Sequence, residues 1–287
     1  MKSFALFVLA LFIGWSAKAQ APVCCDKNKQ EVAPTAAFAA FGSDAKFRSQ
    51  HPIPGQVDVS ALKGEMVGIP VEEGKADAYF VAGPSDSRVA LIVVHEWWGL
   101  NDHIKQEADR LFEELDGKVH VIALDMYRGE VATTRERASS LMQSVDDGYA
   151  RSVIRGAADY LPAGTKVASI GWCFGGGWSL QTAIELNDRA LGSVIYYGMP
   201  DSDPNHVREI RCDVLGIFAG KDGWITPEVV HNFESVMKAE GKTLTYKIFE
   251  GAEHAFANPS RDIYDEGAAE EANRMTREFL RNHLLME

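Results

Sequence analysis

The sequence predicts an α/β protein with a mostly parallel central sheet and helices on both faces. Short apolar runs such as "VALIVV" at 89–94 and "KVASI" at 166–170 lack the in-out alternation of half-exposed strands, so they read as strands buried on both sides. Between such runs lie longer stretches of helical spacing, and regular alternation of strand and helix makes neighbouring strands parallel.

The elements follow in order. Glu65–Val71 and Ala76–Val81 read as two opening strands around the turn Glu72-Glu73-Gly74-Lys75. Val89–Val94 is the first buried strand. In His103–Glu114, Ile104, Ala108, Leu111 and Phe112 share one helical face. Val119–Leu124 is the next strand, and helical stretches follow at about 132–144 and 147–161. Lys166–Ile170 is a strand, Gly177–Leu186 a helix, and Leu191–Tyr197 and Val214–Ala219 further strands. Pro227–Ala239 is helical, Thr243–Phe249 a strand, and Glu266–Leu285 the last helix. In such a sheet the reactive residues sit in loops beyond the carboxyl ends of the strands.

Ahead of this region, Lys2, the apolar run Phe4 to Trp15 and the small-x-small triplet Ala17-Lys18-Ala19 read as an export signal over residues 1–19; the run stops short of the about 20 apolar residues of a membrane helix, and an uncleaved anchor is the rival reading. Cleavage near Ala19 is expected to leave an exported protein, periplasmic or secreted, with no stable membrane association. Residues 20–60 read as an extended arm, because prolines at 34, 52 and 54 interrupt them. Residues 61–287 are the expected domain. A net charge of −12 argues against nucleic-acid partners, which are gripped through basic surface. The four cysteines, Cys24, Cys25, Cys173 and Cys212, are too few and too irregular for a disulfide scaffold, although export permits bridges. Oligomeric state has no signature in the sequence.

The most informative stretch is "SIGWCFGGGWS" at 169–179. A phosphate-binding loop needs Lys-Ser/Thr after its glycines, but Gly176 is followed by Gly177 and Trp178. A dinucleotide fingerprint needs glycine where Cys173 stands. Gly171-Trp172-Cys173-Phe174-Gly175 instead fits the Gly-x-nucleophile-x-Gly elbow, with cysteine as the nucleophile. The turn is sharp and strained, so the positions two residues to either side must be small. A buried structural cysteine is the plain rival reading. The elbow requires an acid and then a histidine in chain order. "FAGKDGWITPE" offers Asp222 and "FEGAEHAFANP" offers His254, each just past a strand end. Asp201 and Asp203 are competing acids. The other histidines lack this context, and His283 reads as a solvent-facing residue of the last helix. "VVHEWWGLND" at 93–102 begins like a zinc motif, but HExxH needs histidine at position 99, which is Gly99. No metal is expected. Glu96 in that loop points toward the same crevice, and a carboxylate beside Cys173 raises the thiol pKa.

Taken together, "HEWWGLND", "ALDMYRG", "GWCFGGGW", "AGKDGWITPE" and "GAEHAF" resemble the dienelactone hydrolase family of the α/β-hydrolase superfamily, from roughly Gly64 to the C-terminus. The resemblance implies the α/β-hydrolase fold and a Cys173–His254–Asp222 triad. It also implies an oxyanion hole from the backbone N–H groups of Phe174 and Trp97. Glu96 would engage the resting thiol and release it when substrate binds, with Trp98 beside it. Family members that cleave dienelactone grip the substrate carboxylate with two arginines. Here the first corresponds to Arg128, slightly displaced, and the second site is Asn258, which weakens such a clamp. The expected activity is therefore hydrolysis of a small-molecule ester or lactone through a thioester, without a cofactor. An acyl transferase using the same site and a non-catalytic exported binding protein are the alternatives.

Overall fold

The structure is a computed structural model and describes residues 33–286. The predicted export signal with its cleavage position near Ala19, together with Cys24 and Cys25, lies outside the described residues. Eight strands form one sheet: β1 (Glu65–Val71), β2 (Gly74–Val81), β3 (Val89–Val94), β4 (His120–Leu124), β5 (Lys166–Trp172), β6 (Ala190–Tyr196), β7 (Asp213–Ala219) and β8 (Leu244–Phe249). Their spatial order is β1-β2-β4-β3-β5-β6-β7-β8. The hairpin β1–β2 and the pair β2–β4 are antiparallel. All pairings from β4 to β8 are parallel. The chain leaves β3 to build β4 on one side and returns to β5 on the other, which opens a crevice at the carboxyl ends of β3 and β5.

The helices are α1 (Pro34–Ala40), α2 (Ala45–Ser49), α3 (Asp102–Glu114), α4 (Arg135–Gln143), α5 (Asp147–Tyr160), α6 (Phe174–Leu186), α7 (Pro204–Val207), α8 (Pro227–Ala239) and α9 (Glu266–Leu284). They cover both faces of the sheet. On β6 the hydroxyl of Tyr196 bonds Thr276 of α9, whereas Ser193, an odd number of residues away, bonds Ser179 of α6. The central strands carry the core. Leu91, Ile92 and Val93 are completely buried, each worth roughly 1.5–3 kcal/mol of apolar burial. Side-chain caps begin the helices where the sequence offers them: Asn101 accepts from the Ile104 amide, Asp146 from Tyr149 and Asp265 from Ala268.

Two expectations are corrected. Helix α6 starts at Phe174 rather than Gly177, because the turn after β5 passes directly into it. The described part of the arm, residues 33–60, is not extended throughout. Pro34 sits in the first turn of α1, where no amide donor is required. The Asp44 carboxylate caps α2 by accepting from the Lys46 amide at 2.7 Å. Phe38 and Phe47 are buried. Among its described residues, the stretch around Pro52 and Pro54 is irregular. The arm is tied down by Ser139 Oγ donating to the Gly42 carbonyl (2.7 Å) and Arg135 Nε donating to the His51 carbonyl (2.8 Å). From Ala33 onward it belongs to the same compact unit as the sheet.

Candidate active site

Cys173 stands between β5 and α6 with φ 57° and ψ −118°, a conformation that costs a non-glycine residue about 1–3 kcal/mol. The neighbouring glycines make the turn possible. A Cβ on Gly171 would lie 2.0 Å from the Gly175 carbonyl oxygen, and one on Gly175 would lie 2.2 Å from that of Val94. The Cys173 amide donates to the Tyr196 carbonyl at 2.9 Å, pinning the elbow to the end of β6.

The loops after β7 and β8 bring Asp222 and His254 together. Nδ1 of His254 lies 2.6 Å from Oδ2 of Asp222, both side chains fully buried. The other carboxylate oxygen accepts from the amides of Trp224 (2.9 Å) and Ile225 (3.0 Å), which fixes its direction. Burial opposes the charge on Asp222, but the His254 ring and these two amides outweigh it and hold the carboxyl below its usual value. With Nδ1 committed to the carboxylate, Nε2 of His254 is the ring's free atom. It is buried and has no hydrogen-bond partner among the described residues. The competing acid Asp201 is occupied elsewhere, by Gln181 (2.8 Å) and His206 (2.9 Å). His283 is not solvent-facing: it is partly buried and bonds the Phe279 carbonyl and Asp213.

The Cys173 sulfur is completely buried. Its pKa is pushed well above the ordinary thiol value, by burial first and then by the Glu96 charge, against a smaller opposite pull from the Phe174 amide. The Phe174 N–H thus lies beside the sulfur. Trp97, expected to supply the second donor, is fully buried. Glu96 itself does not bond the thiol. It accepts from Asn258 Nδ2 at 2.7 Å. Glu96, Trp98 and Asn258 line one crevice of about 500 Å³ together with Tyr197, Trp172 and Pro54.

Arg128 is not brought to this crevice. Its guanidinium bonds Glu73 of the hairpin at 2.7 Å and stacks 3.6 Å over the Tyr149 ring, where cation–π attraction and the ion pair hold it at the surface. His95 is buried with Nδ1 on the Glu96 carbonyl and Nε2 accepting from the Met126 amide, so it fixes the backbone of the loop rather than binding an ion.

Two residues of the site were absent from the sequence reading. His51, on the arm, lies with Nε2 3.8 Å from the Cys173 sulfur. Its ring stacks on Trp97 at 4.8 Å and donates from Nδ1 to the Phe47 carbonyl. Phe47 in turn packs on Trp97, Trp224 and His254. Arg261 is also buried, and none of its three guanidinium nitrogens has a hydrogen-bond partner among the described residues. Burial draws its pKa below the ordinary arginine value, against the opposing charges of Glu96 and Cys173. An arginine of this kind remains protonated at neutral pH.

The strand order, the strained elbow and the paired acid and histidine beyond β7 and β8 define an α/β hydrolase. The family model of the dienelactone hydrolase family matches residues 77–284, and the chain belongs to that family. Protein usf of Aquifex pyrophilus is 29% identical over 233 residues, which cover 77% of this chain and 99% of that protein. A candidate carboxymethylenebutenolidase of Aquifex aeolicus is 29% identical over 235 residues, with 77% and 99% covered. The solved structure of a dienelactone hydrolase-like promiscuous phosphotriesterase from metagenomic libraries shares the fold with a TM-score of 0.67 at 24% identity, covering 77% of this chain and 98% of its own.

Proposed function

We propose that the protein hydrolyses small esters or lactones that carry a carboxylate near the scissile bond, through a thioester on Cys173. The observation that carries this reading is the buried 2.6 Å contact of His254 with Asp222, behind a cysteine in a strained elbow. His254 Nε2 takes the thiol proton as the sulfur attacks the carbonyl carbon. The amides of Phe174 and Trp97 receive the oxyanion. The tetrahedral intermediate collapses, the C–O bond breaks, and the imidazolium protonates the departing alcohol. Water, deprotonated by the same nitrogen, then attacks the thioester and releases the acid and the free thiol. Asp222 keeps the proton of the neutral ring on Nδ1 and stabilises the cation that forms.

Arg261 supports the carboxylate part of the reading. A buried guanidinium without a partner favours an anion that brings its own acceptors. The weakened clamp implied by Asn258 is thus offset by a cation three residues further along. The name carboxymethylenebutenolidase, borne by relatives of this chain, describes a lactone with a carboxylate arm, the same chemistry.

A hydrolysis panel of esters and lactones, with and without a carboxylate, tests both parts. Cys173→Ala is expected to abolish turnover with the fold intact, and undiminished turnover in that variant would overturn the reading. Equal kcat/KM for charged and neutral members would remove the carboxylate from it.

A further inference from the structure

The two imidazoles at the Cys173 sulfur converge in a way that hydrolysis does not require. The sulfur and one ring nitrogen from each of His51 and His254 all lie within 4.8 Å of one another, and all three residues are buried. The hydrogen bonds fix which nitrogens these are. Nδ1 of His51 faces a carbonyl oxygen, which only accepts, and Nδ1 of His254 faces a carboxylate. Each neutral ring therefore carries its proton on Nδ1 and presents a bare Nε2 lone pair to the sulfur.

We propose that Cys173, His51 and His254 form a three-ligand site for a borderline-soft divalent cation such as Zn²⁺, and that its occupation switches the enzyme off. Zinc bonds of about 2.3 Å to sulfur and 2.0–2.1 Å to nitrogen place tetrahedral ligand atoms about 3.3–3.6 Å apart. The His51–Cys173 separation is already 3.8 Å, so small rotations close the set. A carbonyl behind one histidine and a carboxylate behind the other are the outer partners that orient metal-bound imidazoles. The surrounding charge is of both signs. Arg261, Arg135 and His254 when protonated are the cations that bear on His51, and Glu96 and Asp222 are the acids that bear on the sulfur. On binding, the sulfur–hydrogen bond breaks, the proton leaves to solvent, and the metal–sulfur bond forms without any change of oxidation state. The ion would occupy both the nucleophile and its base and would fasten the arm over them. It acts as an inhibitor and has no part in the hydrolytic steps.

Metal binding stands on this geometry alone, whereas inhibition rests on the hydrolase reading, and the two are measured separately. Reduced, chelator-treated protein is titrated with Co²⁺ and followed by absorbance, then competed with Zn²⁺. The wild type is expected to show a thiolate-to-cobalt charge-transfer band with the intense visible bands of a tetrahedral site, and Cys173→Ala to lose the former. His51→Gln should weaken binding at least roughly 10–100-fold, since even outer-sphere changes have that effect. His51→Cys should restore it with a stronger charge-transfer band, and far-UV circular dichroism confirms the fold of each variant. The Zn²⁺ concentration that halves ester turnover should rise in His51→Gln by the same factor as the binding constant. Absence of the charge-transfer band in the wild type, or equal affinity of wild type and His51→Gln, overturns the site. A wild type that binds metal but turns over no ester overturns the hydrolase reading and leaves the site standing.

Discussion

Nε2 of His51 stands 3.8 Å from the sulfur of Cys173, so a residue outside the family-matched segment 77–284 touches the nucleophile of the proposed reaction. The arm that carries it forms the roof of the site, with Phe38 and Phe47 both packed on the His254 ring. Cys173 has no exposed surface beneath that roof, so a reagent reaches the thiol only when the roof or the crevice wall moves.

Replacing His51 by Ala removes the contact with the sulfur and the stack on Trp97. A loss of about 1.4 kcal/mol from the cost of opening raises the rate of any opening-limited step about tenfold. Alkylation of Cys173 by iodoacetamide, followed by mass spectrometry under native conditions, should accelerate by that order. Identical labelling rates in variant and wild type would show that the arm does not govern access.

The resting nucleophile is expected to be a thiol at neutral pH, because burial and then Glu96 push its pKa well above the ordinary value. Alkylation should therefore rise with pH through the alkaline range, with no plateau near neutrality. Glu96→Gln keeps an acceptor for Asn258 but removes the negative charge. Its labelling profile should move to lower pH, and an unmoved profile would mean that the Glu96 charge does not reach the sulfur.

Acid should destabilise the fold through its buried histidines. Burial lowers the pKa of His95 to about 4 and that of His51 well below 6.5. The unfolded chain takes up these protons near pH 6.5 while the folded chain refuses them, so stability falls as pH drops below that value. His95 alone loses about 1.4 kcal/mol per pH unit until its folded value is reached, about 3 kcal/mol in all. Glu96 and Asp125, raised by burial, work in the opposite direction at the acid end. Asp222, held below its usual value, loses its contribution only at more acidic pH still. Urea midpoints measured between about pH 7 and 5.5 read the balance of these groups, and a midpoint that does not fall across that interval contradicts the dominance of the histidines.

Much of this site was legible in the sequence because strands announce themselves. Continuous runs such as Val89–Val94 are buried on both faces, so their ends, and the loops that hold Cys173, Asp222 and His254, could be placed without coordinates. The glycines at 171 and 175 were interpretable for the same reason, since an elbow leaves no room for Cβ at either position. His51 and Arg261 were not legible. Both sit in irregular backbone, where no period reports which way a side chain points, and His51 reaches a partner 122 positions away. Prolines misled the reading of the arm, because Pro34 opens a helix as readily as it breaks one. Arg128 was drawn toward the crevice by its position in the loop. Its real partners, Glu73 and Tyr149, come from a hairpin and a helix that nothing in the sequence ties to it.

Arg261 sets a stability cost against the role proposed for it. Its guanidinium is buried with no partner among the described residues, and an unpaired buried donor costs about 1–3 kcal/mol, more when it is charged. Arg261→Met keeps most of the volume and removes the charge, so it should raise the unfolding free energy by at least about 1 kcal/mol, read as a higher urea midpoint at unchanged slope. The same change takes away the group proposed to receive the substrate carboxylate. A charge-assisted hydrogen bond contributes about 1.5–3 kcal/mol, so KM for carboxylate-bearing esters should increase roughly 10–100-fold. Neutral esters of the same size should be turned over as before, because Cys173, His254 and Asp222 are left in place. A variant that is less stable, or that loses activity on charged and neutral esters alike, would show that Arg261 supports the walls of the site rather than waiting for an anion.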